Sequence, residues 1–108
     1  MEINYWKDKE IKENPHNLDA REVYHHKYAQ IMHMQLVAGQ LIEPHSSPVD
    51  IVFVVLEGQV EMQIDNEKQM VNKDAVIHSP ANLMHGLANK SEDIVRILVI
   101  KTPSPIKF

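Results

Sequence analysis

The sequence has no cysteine, only three glycines and a single tryptophan. Without cysteine there is no disulfide scaffold, no thiolate nucleophile and no sulfur ligand for a metal, so the cytoplasm is the expected compartment. Long apolar runs are also missing. The longest, Ile51–Leu56, is far shorter than the roughly 20 residues that a membrane helix needs. Residues 1–14 carry charges where a signal peptide would be apolar.

Clustered positive charge is a further absence. Eleven Lys and Arg against fifteen Asp and Glu give a net charge of −4, and the basic residues are scattered along the chain. Nucleic acid and anionic membranes are therefore not expected partners. The 108 residues, 44% of them hydrophobic and 24% charged, are typical of one globular domain. We expect that domain to span residues 1–108, with an N-terminal arm over 1–20 and a core over 28–101.

Short apolar stretches separated by turn residues predict an all-β fold of the sandwich or barrel type, with minimal helix. Two of them, Ile51–Leu56 and Val95–Ile100, are apolar on both faces, and a second cover is expected from a partner subunit in a homodimer. Residues Ile3, Tyr5 and Trp6 of the arm are sufficient for an anchoring strand. The predicted strands are Glu22–Tyr28, Gln30–Val37, Ile51–Leu56, Gln59–Ile64, Gln69–Val71, Ala75–His78, His85–Ala88 and Val95–Lys101.

Two groups of residues each show a recognisable spacing. In the first, Gly39 is followed by five residues and then His45, and Gly58 closes the apolar strand after it. In the second, Pro80 is followed by His85 and then by Asn89. This arrangement resembles the two motifs of the cupin superfamily and covers Gln30 to Lys101.

The family motifs read Gly, five residues, His-x-His, three or four residues, Glu, six residues, Gly, and then Gly, five residues, Pro-x-Gly, two residues, His, three residues, Asn. The resemblance implies a single-domain antiparallel β-barrel, or jelly roll. It also implies a site for a divalent metal, held in metal-binding members by three histidines and the glutamate.

This chain departs from the motifs at four positions. Ser47 stands where the second histidine would be, and Ile51 where the glutamate would be. Asp74 and Asn82 stand at two glycine positions of the second motif. Of the four metal ligands only His45 and His85 remain, fewer than the three or four that a zinc site uses.

Two further histidines are possible additional ligands. His33 lies in the middle of a predicted strand and His78 at the end of another, and strand parity alone does not decide which face each one takes. A site enlarged by either would suit zinc, iron, nickel, manganese or copper, because imidazole is a common ligand for such metals. Structural alternatives remain open: hydrogen-bonded strand histidines, and methionines as flexible core filler.

Three functional hypotheses follow. The first is a small-molecule-binding barrel whose pocket is lined by His45, Ser47, Ile51, Phe53, His78, Met84 and His85. The second is a metal-dependent enzyme, an oxygenase or isomerase, that uses His45 and His85 as ligands. The third is a sensing or interaction module acting on a larger system. The sequence leaves open the ligand, the metal and whether the protein is an enzyme, because one barrel fold hosts unrelated chemistries.

Overall fold

The computed structural model describes residues 1–106, and in that range the fold consists of nine β-strands and one short 3-10 turn at Trp6–Asp8. The strands are β1 (Asp19–His26), β2 (Ala29–Leu36), β3 (Leu41–His45), β4 (Asp50–Glu57), β5 (Gln59–Ile64), β6 (Glu67–Asn72), β7 (Val76–Ser79), β8 (His85–Ala88) and β9 (Val95–Thr102). The predicted all-β class is confirmed. No helix within this range is long and apolar enough to cross a bilayer.

Two antiparallel sheets form the barrel. One has five strands in the order β1-β2-β9-β4-β7, and the other has four in the order β3-β8-β5-β6. The inward faces of both sheets contribute to one hydrophobic core, so the sheets close over a shared interior. Its buried members are Leu18, Ala20, Met32, Leu36, Ile42, Ile51, Phe53, Val55, Val60, Met62, Leu87, Val95, Ile97 and Val99.

Strand alternation decides which side chains enter the barrel. On β4 the buried residues are Ile51, Phe53 and Val55, while the residues between them are half-buried on the outer face. On β9 the buried series is Val95, Ile97 and Val99. The two-residue period of a strand places Lys101 next in that inward series.

One strand was not predicted from the sequence. Residues Leu41–His45 form β3, which pairs with β8, although Pro44 within it is a residue type that favours turns. The ladder is irregular between Ile42 and His45, and proline is tolerated at such an irregularity because it has no N–H to donate.

The N-terminal arm lies on the outer face of the five-stranded sheet. The anchoring strand predicted for it does not form, and Trp6 begins the 3-10 turn instead. The Trp6 indole stacks on the His33 imidazole, with ring centroids 4.1 Å apart and planes 9° apart. Guanidinium groups of Arg21 and Arg96 lie 5.0 and 5.4 Å from the Trp6 ring. The indole thus covers part of the outer face of the sheet, where the sequence predicts a second cover for the strands that are apolar on both faces.

A groove next to Trp6 continues along this outer face. It is lined by Asn4, Trp6, Val23, Tyr24, Ile31, His33, Leu56, Arg96 and Leu98. The double-sided apolar character predicted for two strands is consistent with this face, on which Leu56 and Leu98 are half-buried. The homodimer stays a prediction.

Four backbone positions lie in the left-handed region at motif positions. Gly39 and Gly58 have φ of +85° and +84°, and Asp74 and Asn82 have φ of 77° and 71°. Asp and Asn are the non-glycine residues that adopt this conformation at the lowest cost. The two substitutions of motif glycines therefore keep the turn geometry.

Trp6→Ala should lower the free energy of unfolding by about 1–3 kcal/mol, because it removes a stacked, partly buried aromatic ring from the outer sheet. Tyr5→Ala is the matched control, since Tyr5 is 68% exposed. Urea denaturation of the two variants gives the comparison. Equal, small losses in both would mean that the arm is not anchored through Trp6.

Gly58→Ala should destabilise the fold more than Gly39→Ala. Both positions need a left-handed backbone, which costs a non-glycine residue about 1–2 kcal/mol. A Cβ at position 58 would also lie 2.7 Å from the Ile94 carbonyl oxygen, whereas one at position 39 would meet nothing within 4 Å. Chemical denaturation measures the difference, and equal losses for the two variants would contradict it.

Candidate functional site

The structure brings His45 and His85 together. His45 ends β3 and His85 begins β8, and the two residues are direct cross-strand partners in the antiparallel ladder. Their ring centroids are 4.5 Å apart, with an edge-to-face angle of 63°. Such close approach is expected where cross-strand neighbours project to the same side of a sheet. The motif spacing therefore identified two side chains that share one site.

His85 is the inner member of the pair. It is 3% exposed and its ring packs edge-on against Phe53, with centroids 5.5 Å apart. Burial, and after it the proximity of His45 and Lys101, lowers the pKa of His85 to about 4. The imidazole is therefore neutral at pH 7.

His45 is the outer, exposed member of the pair. Its Nδ1 lies 3.0 Å from the Glu43 carbonyl oxygen, which can only accept, so Nδ1 carries the proton and donates it. In the neutral ring this leaves Nε2 as a hydrogen-bond acceptor. This nitrogen can accept a hydrogen bond from a donor group on a ligand.

A third histidine lies at the rim. His16, in the N-terminal arm, has its ring centroid 5.4 Å from that of His45. Burial, followed by the nearby His45, lowers the pKa of His16. No sequence pattern predicts this contact, because His16 follows a proline in a polar segment that no strand pattern connects to the barrel.

The pair opens onto a small cavity in the barrel interior, with a volume of about 40 Å³. Hydrocarbon side chains form most of its wall, and within residues 1–106 no Asp or Glu lines it. The lining consists of Met34, Ile42, His45, Ile51, Phe53, His85, Leu87, Val99 and Lys101. An apolar cavity with a few convergent polar groups is the usual form of a small-molecule site.

Lys101 is a lining residue that was not predicted from the sequence. It is the polar end of the inward series on β9, and it lies opposite Ile51 in the β4–β9 ladder. Burial lowers the pKa of Lys101. The alternation of Val95, Ile97 and Val99 was the available signal, but a lysine at a strand end is usually interpreted as a solvated flank.

The other predicted pocket residues fall into two groups. Ile51 and Phe53 line the cavity with the histidine pair. Ser47 is buried, but its Oγ accepts a hydrogen bond from the Val49 N–H at 3.3 Å, and it does not line this cavity. Met84 is 44% exposed and also lies outside the lining.

The two histidines predicted as possible additional ligands do not join the pair. His78 lies opposite Val52 on the outward-facing register, and its Nε2 is 3.6 Å from a carboxylate oxygen of Asp50. His33 also points outward, where its Nε2 accepts a hydrogen bond of 3.1 Å from Arg96 Nε. Outward residues of a barrel strand cannot reach a metal in its interior.

The last motif residue, Asn89, has a structural role. It is 1% exposed, and its side-chain amide donates to the carbonyl oxygens of Leu36 and Asp93 at 2.9 and 2.8 Å. Its backbone carbonyl oxygen accepts a hydrogen bond from the Gly39 N–H at 3.0 Å. These bonds tie the second motif to the first at the end of the barrel away from the histidines.

The donor set does not fit the metal that the family resemblance implies. Within residues 1–106 no group of three His, Asp or Glu side chains is arranged to hold a metal ion. At the glutamate position Ile51 contributes hydrocarbon, and the cationic Lys101 lines the same cavity. Two imidazoles beside an ammonium group offer a divalent cation too few ligands and a repulsive charge.

Comparison with protein families identifies the chain. The model of the cupin domain family matches residues 32–101, which include both motifs and eight of the nine strands in whole or in part. The chain belongs to the cupin family. The predicted superfamily is thereby confirmed for this cupin, and the match begins in β2 and ends in β9.

Relatives of this cupin share its length as well as its fold. An uncharacterized protein of Methanocaldococcus jannaschii is 21% identical over 100 residues, covering 92% of this chain and 86% of the relative. A solved structure from Thermus thermophilus is 26% identical, with a TM-score of 0.82 over 95% of this chain and 98% of that one. An RmlC-like cupin from Shewanella frigidimarina is 13% identical, with a TM-score of 0.85 over 96% and 92%. These likenesses support the double-stranded barrel.

Acidification should destabilise this cupin between pH 6.5 and about pH 4. Burial lowers the pKa values of His33 and His85 to about 4, whereas in the unfolded chain both titrate near 6.5. In that window the unfolded chain binds more protons than the folded protein does. The free energy of unfolding therefore decreases as the pH is lowered, by up to about 1.4 kcal/mol per pH unit for each histidine.

Urea denaturation across this pH range measures the slope, with His33→Gln and His85→Gln as variants. Each should reduce the slope, because each removes one of the two suppressed titrations. A native chain whose stability is independent of pH over this interval would contradict the assignment of both rings as buried and neutral.

Proposed function

We propose that this cupin binds a small molecule in the barrel cavity, at the pair formed by His45 and His85. The observation that supports the proposal is the edge-to-face contact of the two rings at the cavity, one exposed and one 3% exposed. A ligand would therefore enter past His45 and end against His85.

The cavity wall and the imidazole rings contribute different interactions to binding. Ile51, Phe53 and Leu87 offer apolar surface that excludes water from the site. The imidazoles offer hydrogen-bonding nitrogens that fix the orientation of the ligand. A buried neutral His85 suits this role, since a charged ring in the same place would be strongly destabilised.

A metal-dependent reaction, the alternative function, has less support. It would need further ligands beside His45 and His85, and the neighbouring positions supply Ile51, Ser47 and Lys101 instead. Ligand binding through the protein's own side chains agrees better with this donor set.

The proposal is tested with a fragment panel of sugars, organic acids and small aromatics, followed by NMR of uniformly ¹⁵N-labelled protein. Binding in the cavity should shift amide signals of His85, Leu87 and Val99. His85→Ala should weaken binding of any such fragment at least 10-fold while the dispersed spectrum of the folded barrel is kept.

His78→Ala is the matched control, because His78 is an exposed histidine outside the cavity. It should leave fragment affinity unchanged. Fragments that shift only surface residues, or that bind equally well to the two variants, would overturn the proposed site.

A further inference from the structure

The cavity of this cupin carries a positive charge where metal-binding family members are expected to carry a negative one. Ile51 occupies the glutamate position of the first motif, and its direct partner across the β4–β9 ladder is Lys101. Both side chains line the cavity with the two histidines, and no carboxylate of the described residues lines it with them. We propose, building on the function proposed above, that the ligand is a short hydroxycarboxylate whose carboxylate group is held by Lys101.

The first argument is that Lys101 has no charge partner in the part of the chain that the structure describes. Among residues 1–106 no carboxylate forms an ion pair with its ammonium group, and no hydrogen bond is made by it. A half-buried ammonium without a partner is destabilising, and a ligand carboxylate would offset that cost by a charge-assisted hydrogen bond.

The second argument concerns the hydrogen-bonding character of the histidines. His45 uses Nδ1 to donate to the Glu43 carbonyl, which leaves Nε2 to accept. An acceptor does not favour a carboxylate, which also only accepts, but it favours a hydroxyl group. One ammonium donor beside an imidazole acceptor therefore matches a carboxylate and a hydroxyl on the same small molecule.

The third argument is size. A cavity of about 40 Å³ exceeds the roughly 10–15 Å³ that a site needs to hold one water molecule, and it is far below the roughly 300–1,000 Å³ of a usual ligand pocket. That space suits a two- or three-carbon acid and is too small for a sugar or aromatic ring. A larger ligand could place only its acid end inside.

The test uses three probes that differ by one group each: glycolate, glycolamide and acetate. Glycolamide replaces the carboxylate by an uncharged amide, and acetate lacks the hydroxyl. Affinities are measured by ¹⁵N NMR titration of the full chain at constant ionic strength. Glycolate should bind at least 10-fold more tightly than glycolamide and more tightly than acetate, with shifts centred on Lys101 and His85.

Lys101→Met is the decisive variant, because it keeps an unbranched side chain of nearly the same length and removes the ammonium group with its charge and its donors. It should weaken glycolate binding at least 10-fold and leave glycolamide binding unchanged. The variant should still fold, because it removes a half-buried charge that destabilises the native state. Lys73→Met, at an exposed turn residue, should leave all three affinities unchanged.

Each failure has a separate meaning. If glycolamide binds as tightly as glycolate, or if Lys101→Met binds glycolate like the native chain, the assignment of the carboxylate to Lys101 is wrong. In that case the cavity proposal would still hold if uncharged fragments shift the amide signal of His85 and bind more weakly to the His85→Ala variant. If no acid and no uncharged fragment shifts the cavity residues, both proposals are wrong.

Discussion

The cross-strand pairing of β3 with β8 is the constraint on which the site depends. It sets His45 directly opposite His85, although the two residues are far apart in the chain. The pairing is secured at the far end by Asn89, which bonds to Gly39 and to the end of β2. Between these points the ladder is irregular near Pro44, which lets the strand accommodate a residue that cannot donate. A shift of one residue in this register would turn one imidazole to the outside of the barrel.

The family motifs set the backbone geometry of the turns and supply the metal ligands, and this chain keeps the turn geometry more completely than the ligands. The backbone task is complete: Gly39, Gly58, Asp74 and Asn82 all adopt positive φ. The side-chain task is reduced to two of four expected metal ligands. Motif spacing is dictated by turn positions in the barrel as well as by ligands, so a good spacing match is evidence for the fold and weaker evidence for a metal.

The sequence allowed the fold, eight of the strands and the histidine pair to be predicted, for reasons that particular residues show. Alternating and continuous apolar runs marked the core strands, and β3 was missed because its own apolar residues are few and Pro44 resembles a turn signal. The outward position of His33 could not be predicted, because strand parity alone does not decide which face a residue takes when the strand boundaries are uncertain. Its burial on the outer face comes from Trp6, a contact across 27 positions that no local pattern records.

The charge of the whole molecule and the charge of the cavity have opposite signs. The chain carries a net charge of −4, which taken alone would disfavour an anionic ligand. The Debye length at physiological salt is about 8 Å, so dispersed surface carboxylates are largely screened from a group inside the barrel. Among the described residues, Lys101 is the only charged one that lines the cavity, and the surrounding hydrocarbon lowers the local dielectric and strengthens its field. The proposed negative charge of the ligand therefore depends on this local field and not on the composition of the chain.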